Sequence, residues 1–142
     1  MIKLVVKLSV ELVPRSCWFS NVRALVSRDV WDRVRKETYR KAGYACEVCG
    51  VKGRLECHEV WEYDDTNKLQ ILRDLVALCP SCHKVKHFGL ATARGRDKTA
   101  RRHLASVNGW TDHEVDSYLD DVWRAWHERS AHDWKLVVAR KF

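Results

Sequence analysis

The chain has 142 residues, enough for one domain with its own core and too few for two. Hydrophobic residues make up 46% and charged residues 32%, the balance of a soluble globular chain rather than a disordered one. Lys and Arg outnumber Asp and Glu by 26 to 19, a net charge of +7, which points to a polyanionic partner, nucleic acid before a membrane surface.

Residues 2–12 are rich in Val, Leu and Ile and read as a strand that Pro14 ends. Lys3, Lys7 and Glu11 interrupt any apolar run there, and no small-residue cleavage site follows, so the segment is not read as a secretion signal. No stretch approaches the roughly 18 apolar residues of a membrane span. The expectation is a cytoplasmic, reducing location with no membrane partner, where free thiols stay available for metal. Cys17 reads as a buried thiol. Ser27 is placed to cap a helix over 28–42 that Gly43 stops. Trp31, Val34 and Thr38 mark its buried side. Arg33, Lys36 and Arg40 lie on the rest, either as a solvated face or as contacts to nucleic acid.

Two Cys-x-x-Cys pairs follow, Cys46/Cys49 and Cys79/Cys82. A two-residue spacer folds into a knuckle that aims both thiolates inward, and Gly50 suits the left-handed backbone such a knuckle needs. Four thiolates match a structural zinc site with every position filled. Disulfides or a redox dithiol fit less well, because no secretion signal and no thioredoxin-like βαβ pattern accompany them. Between the pairs, residues 55–63 read as a strand, 64–67 as a turn and 69–72 as the returning strand. Pro80 fits the first turn of a helix running through His87, with Gly89 ending it. The sum is a ββα unit stapled by zinc.

A second basic helix is expected from Thr92 to about Val107, carrying Arg94, Arg96, Arg101 and Arg102. Thr111 and Glu114 form a capping box. Val115, Tyr118, Leu119, Val122, Trp123 and Trp126 then share one face of a helix, as core rather than a base-stacking platform. Trp134, Leu136 and Val138 alternate as in a strand, and the two terminal strands are expected to pair in a small sheet.

Residues 46–87 resemble the HNH endonuclease family. Its pattern is a strand ending in Asp-His or His-His, then Asn-Leu-x-x-Leu-Cys-x-x-Cys-His. Here Cys57-His58 stands at the first place, and Asp74-Leu75 through Leu78-Cys79 to Cys82-His83 at the second. The resemblance covers about a third of the chain. It implies a zinc-stapled ββα-metal core at about 44–90; with the N-terminal strand and helix at 1–43 and the C-terminal helices and strand at 91–142, which are not part of the family motif, the expected fold over residues 1–142 is α+β. It also implies metal-dependent hydrolysis of phosphodiester bonds in DNA, with RNA as the other candidate polyanion. His58 would be the general base, and His83 would hold a divalent ion (Mg, Mn, Ni or Zn).

Four positions depart from the pattern or extend it. Asp74 stands where the family has Asn, and its carboxylate could bind the cation alongside His83. Cys57 stands where the family has a metal ligand, and its soft thiolate favours a late transition metal, or else it points away. His87 shares a helix face with His83, as a second ligand or as an exposed histidine. Asp64, on the His58 side of the strand by alternation, could orient the base. Lys84 and Lys86 join the basic residues expected at the nucleic acid. Two other functions compete: a catalytically degenerate, zinc-stapled nucleic-acid-binding module, and an adaptor docking through an exposed tryptophan-rich helix.

Overall fold

The fold is that of a computed structural model, which describes residues 5–17, 21–139 and 142. Its centre is a hairpin. Strand β1 (Glu56–Asp64) and strand β2 (Leu69–Leu78) pair antiparallel, from Glu56 opposite Leu78 to Asp64 opposite Leu69. Asp64 closes the turn: its Oδ1 accepts from the N–H of Thr66 and Asn67 at 3.1 and 3.0 Å. That fixes Asp64 at the hairpin tip, six residues along the strand from His58.

The hairpin contains a bulge that sequence alternation does not show. Val60 pairs with Asp74 and Trp61 with Leu72, so Arg73 is the extra residue. Both Arg73 and Asp74 are thereby exposed, with burial resuming at Leu75.

Helix α1 (Val22–Leu25) and helix α2 (Arg28–Lys41) cover one part of the sheet. Ser27 caps α2 as expected, its Oγ accepting from the Val30 N–H at 3.3 Å. Val34 packs with Val22, Leu72 and Leu75, and Trp31, Cys57 and Trp61 close the edge of that cluster. A larger core lies beyond the hairpin's other end. It joins Leu78, Cys79, Cys82 and Val85 to Ala100, Leu104, Val115 and Leu119.

Apart from Leu78 at the end of β2 and Cys79 just before α3, these residues belong to helices α3 (Pro80–Lys86), α5 (Asp97–Asn108) and α6 (Asp112–Ser130), and helix α4 (Phe88–Ala93) adds Phe88 and Ala91. The helix after the second knuckle therefore breaks at His87, whose φ of −95° and ψ of 47° leave the helical region. Gly89 lies inside α4, where Leu12 approaches to 3.4 Å of the place a Cβ would occupy. Arg94 and Arg96 fall in the joint between α4 and α5 rather than on a helix face. The Thr111/Glu114 capping box is present in both directions.

Among the described residues the termini do not pair with each other. Strand β3 (Lys135–Val138) runs parallel to β2, Leu69 opposite Lys135 through Leu72 opposite Val138. Of the expected N-terminal strand, residues 2–4 lie outside the described residues, and residues 5–12 form none. The backbone there is satisfied by side chains instead. Asn108 Oδ1 accepts from the N–H of Lys7 and Leu8, and the Tyr118 hydroxyl accepts from the Val10 N–H at 2.9 Å. Glu11 N–H donates to the Lys86 carbonyl at 3.1 Å, laying this segment along α3.

On α6, Val115, Leu119 and Trp126 are buried, and Tyr118, Val122 and Trp123 pack against the core. The tryptophans thus face inward, which removes the motive for an adaptor surface there. No described helix is long and apolar enough to cross a membrane.

Candidate metal centres

The four cysteine sulfurs come together. The Sγ atoms of Cys46, Cys49, Cys79 and Cys82 all lie within 4.8 Å of one another, and Cys49 and Cys79 are 3.7 Å apart. Four sulfurs at about 2.3 Å from a tetrahedral zinc ion stand about 3.8 Å from each other, so the spacing suits a structural metal such as zinc. Gly50, at φ +79°, turns the first knuckle, and its N–H donates to the Cys46 carbonyl at 2.9 Å. Cys79 caps α3, its Sγ accepting from the Cys82 N–H at 3.4 Å.

The thiols do not share one electrostatic state on their own. Burial and the neighbouring sulfurs push Cys82 strongly upward, and Cys79 rises mainly through burial. Cys46 is desolvated too, yet hydrogen bonds from the backbone at Cys49, Cys79 and Val48 bring it down to about 7. A cation at the centre is what allows all four to be thiolates together.

Two supports of this cluster carry no sequence motif. Glu47 bridges the first knuckle to the end of β2: its N–H donates to the Ala77 carbonyl at 2.9 Å, and its carboxylate accepts from the Ala77 N–H at 2.6 Å. On α5, His103 Nε2 lies 3.2 Å from Cys82 Sγ, placed to donate an N–H to a thiolate.

The second cluster is made of histidines. Ligand atoms of His58, His83 and His87 lie within 4.8 Å of one another. Ring centroids are 5.3 Å apart for His58 with either partner and 4.6 Å for His83 with His87. β1 presents His58, 3% exposed, toward the helices; α3 presents His83, and the break after α3 holds His87 one turn further on.

Two carboxylates fix the ring tautomers. His83 Nδ1–H donates to Glu56 Oε1 at 2.9 Å, because a carboxylate only accepts, and this leaves the Nε2 lone pair for a ligand. His58 Nε2–H donates likewise to Glu11 Oε2 at 2.7 Å. His58 Nδ1 is then a lone pair without a partner among the described residues, and it is fully buried.

His83 Nε2 and His87 Nε2 stand 3.0 Å apart. Two nitrogens bound at about 2.1 Å and at right angles around one cation also stand about 3.0 Å apart. The same spacing serves an N–H···N bond when no cation is bound. Desolvation lowers the pKa of His83, with Glu56 opposing, and lowers that of His87 together with repulsion from His83 and His58. Both rings are thereby held neutral, the form that ligates.

Glu11 is the element of this site that a motif search misses. It lies 47 residues before His58 and accepts from Lys86 Nζ at 3.1 Å as well. Burial would raise its pKa, but the hydrogen bond from His58 and the charge of Lys86 outweigh that and hold it below the usual carboxylate value. Only the pairing of a polar Glu11 inside an otherwise apolar stretch hinted at a buried role.

Other expected site residues lie elsewhere. Asp74 is exposed at the bulge on β2, with Oδ1 accepting its neighbour's N–H at 2.8 Å, and it is not in either ligand group. Cys57 points to the opposite side of β1 from His58 and packs with the α2 cluster. Lys86, expected at nucleic acid, is instead buried, donating to Ser9 and Glu11. Arg101 is tied to Asp116, and Arg40 to Glu37. Arg33, Lys36, Arg94, Arg96 and Arg102 are exposed and Lys84 half-buried.

Comparison with models of known protein families, with curated proteins and with solved structures gave no match.

Proposed function

We propose that the protein is a metal-dependent endonuclease of the HNH type, hydrolysing phosphodiester bonds in DNA, with a structural zinc ion on Cys46, Cys49, Cys79 and Cys82. The observation that carries this reading is the convergence of His58, His83 and His87, the first two each backed by a carboxylate. It also rests on the resemblance of residues 46–87 to that family.

His83 and His87 would hold a divalent cation through their Nε2 atoms, an imidazole donor set that favours Ni or Zn over Mg or Mn. Such a cation supplies counter-charge to the scissile phosphate and to the leaving oxygen. Glu56 keeps the His83 ring turned to its ligand position. Glu11 keeps the proton of His58 on Nε2, which leaves the buried Nδ1 as the atom that would accept a proton, from a water bound in the cavity that His58 lines with His83 and His87. Asp74 has no part in this version of the site.

A metal panel on supercoiled plasmid tests it: Mg, Mn, Ni, Co and Zn with wild type, His58→Ala and His83→Ala. Cleavage that needs an added cation and falls about 100-fold or more in both variants supports the reading. His58→Ala cutting at the wild-type rate would remove the base. Loss of cation binding in His58→Ala would make that ring a ligand instead.

The exposure of Asp74 outside the cluster favours one second reading, a zinc-stapled nucleic-acid-binding module with a degenerate pocket. It predicts salt-dependent DNA binding without turnover in any metal of the panel.

A further inference from the structure

Two hollows meet at His83. The first, of about 830 Å³, lies between α2 and the chain entering β1 and is lined by Arg23, Arg28, Arg35 and Arg54. Asp32 and Glu56 pair with Arg35 and Arg54. Among the described residues neither Arg23 nor Arg28 has an ion-pair partner, and both are exposed. The groove therefore keeps net positive charge. Its inner wall is His83 with Glu56, so an anion lying in it reaches the histidine cluster directly.

The second hollow, of about 590 Å³, lies on the other side of His83 and is lined by His58, His83 and His87 together with Trp31, Trp61, Trp123 and Trp126. Its volume is that of a small-ligand site, about 300–1,000 Å³. Arg23, Trp31, Cys57 and His83 line both hollows, so the basic groove and the aromatic cavity are continuous.

A charged track for phosphates beside a cavity lined by indole rings is the arrangement that binds single strands. The phosphates are neutralised in the groove, and an unstacked base lies against the aromatic rings. A base still paired in a duplex cannot enter a recessed cavity without leaving its stack.

We propose that the protein engages an unpaired stretch of DNA, its backbone in the Arg23/Arg28 groove and one base in the tryptophan cavity, so that the phosphate between them meets His83. This rests on the proposed function only for the fate of that phosphate. The surface differs from the one expected from the basic residues of α5, and it uses Arg23, Arg28 and Arg54, which no motif marked.

Binding is measured by fluorescence anisotropy on zinc-loaded protein with no further divalent ion. The probes are a labelled 15-nucleotide thymidine strand, a 15-base-pair duplex, and an abasic 15-nucleotide strand of equal charge. The thymidine strand should bind about 10-fold or more tightly than either of the others, the size expected for one stacked base. Arg23→Ala/Arg28→Ala should weaken it about 10-fold and shrink its log–log salt slope by about 1.4, 0.7 for each lost phosphate contact. Arg94→Ala/Arg102→Ala, at residues that line neither hollow, should change it less than about two-fold.

Equal affinity for duplex and single strand, or for abasic and thymidine strands, overturns the proposal. So does an unchanged salt slope in Arg23→Ala/Arg28→Ala. Because no cleavage is read, a protein that binds this way yet never cuts would remove the nuclease reading and leave this one standing. Cutting with no preference for unpaired strands would do the reverse.

Discussion

Replacing Glu11 by Gln separates charge from shape at the site's least obvious residue. The Gln carbonyl can still accept from His58 Nε2, so the contact at 2.7 Å survives without its charge. Lys86 loses more. Its side chain is 10% exposed, Glu11's 27%, and its remaining partner among the described residues is Ser9 Oγ at 2.8 Å. Removing one member of a buried ion pair costs about 3–5 kcal/mol. Here Ser9 and the Gln oxygen both remain as acceptors and Glu11 is partly solvated, so we expect about 2 kcal/mol.

For a chain of this size that is a fall in Tm of about 4–8 °C. The pH dependence has a definite sign. Because the folded-state pKa of Glu11 is lowered, its contribution is present above the unfolded value of 4.5 and is lost as pH falls below it. Glu11→Gln should lack that part of the acid loss. Adding Lys86→Met to Glu11→Gln should return most of the stability, since it removes the stranded charge. Cleavage should fall about 10–100-fold, the usual effect of losing an outer partner of a functional histidine. Denaturant unfolding at several pH values and a plasmid assay read these outcomes. Wild-type stability and wild-type rate in Glu11→Gln would refute the reasoning about this network.

Three further predictions concern the scaffold. Chelation, or Cys82→Ser, should unfold the α3–α5 core along with the knuckles, because Cys82 is fully buried among Leu78, Val85 and Leu104; loss of far-UV circular dichroism with metal release checks it. Gln70 is fully buried on β2 with neither amide atom partnered among the described residues, so Gln70→Met should stabilise the fold by about 1–2 kcal/mol, seen as a higher Tm. Burial raises Glu59 to about 7, against a hydrogen bond from the Val22 N–H. Its folded pKa is the higher one, so its contribution is complete below pH 4.5 and disappears as pH rises through 7. In wild type relative to Glu59→Gln, up to about 3 kcal/mol should be lost across that window in paired denaturation curves.

The sequence carried the local rules well and the long-range ones poorly. Ser27, the Thr111/Glu114 box and the Cys-x-x-Cys spacings are short-range signals, and helix α2, helix α6 and the sulfur cluster follow from them. The four-cysteine group fits metal binding as expected from spacing alone. Asp74 was placed by the family pattern, which carries no sign of the one-residue bulge at Arg73 that goes with its exposure. The N-terminal strand failed because Val and Leu report burial, not pairing. Leu8 and Val10 are indeed buried, but Asn108 and Tyr118 take their backbone groups. Glu11 and His103 reach their partners across 47 and 21 residues, distances at which no periodicity speaks. The Lys86 misreading has the same origin: a lysine on a helix looks solvent-bound until an acid from elsewhere covers it.

The proposed chemistry depends on whether His83 and His87 take a cation. Titrating Ni²⁺ calorimetrically into wild type carrying one equivalent of zinc, and into His83→Ala prepared the same way with its four cysteines intact, tests this most directly. The geometry predicts one additional site in wild type, lost or weakened about 100-fold or more without His83. No heat of binding in wild type, or equal binding in the variant, would contradict it.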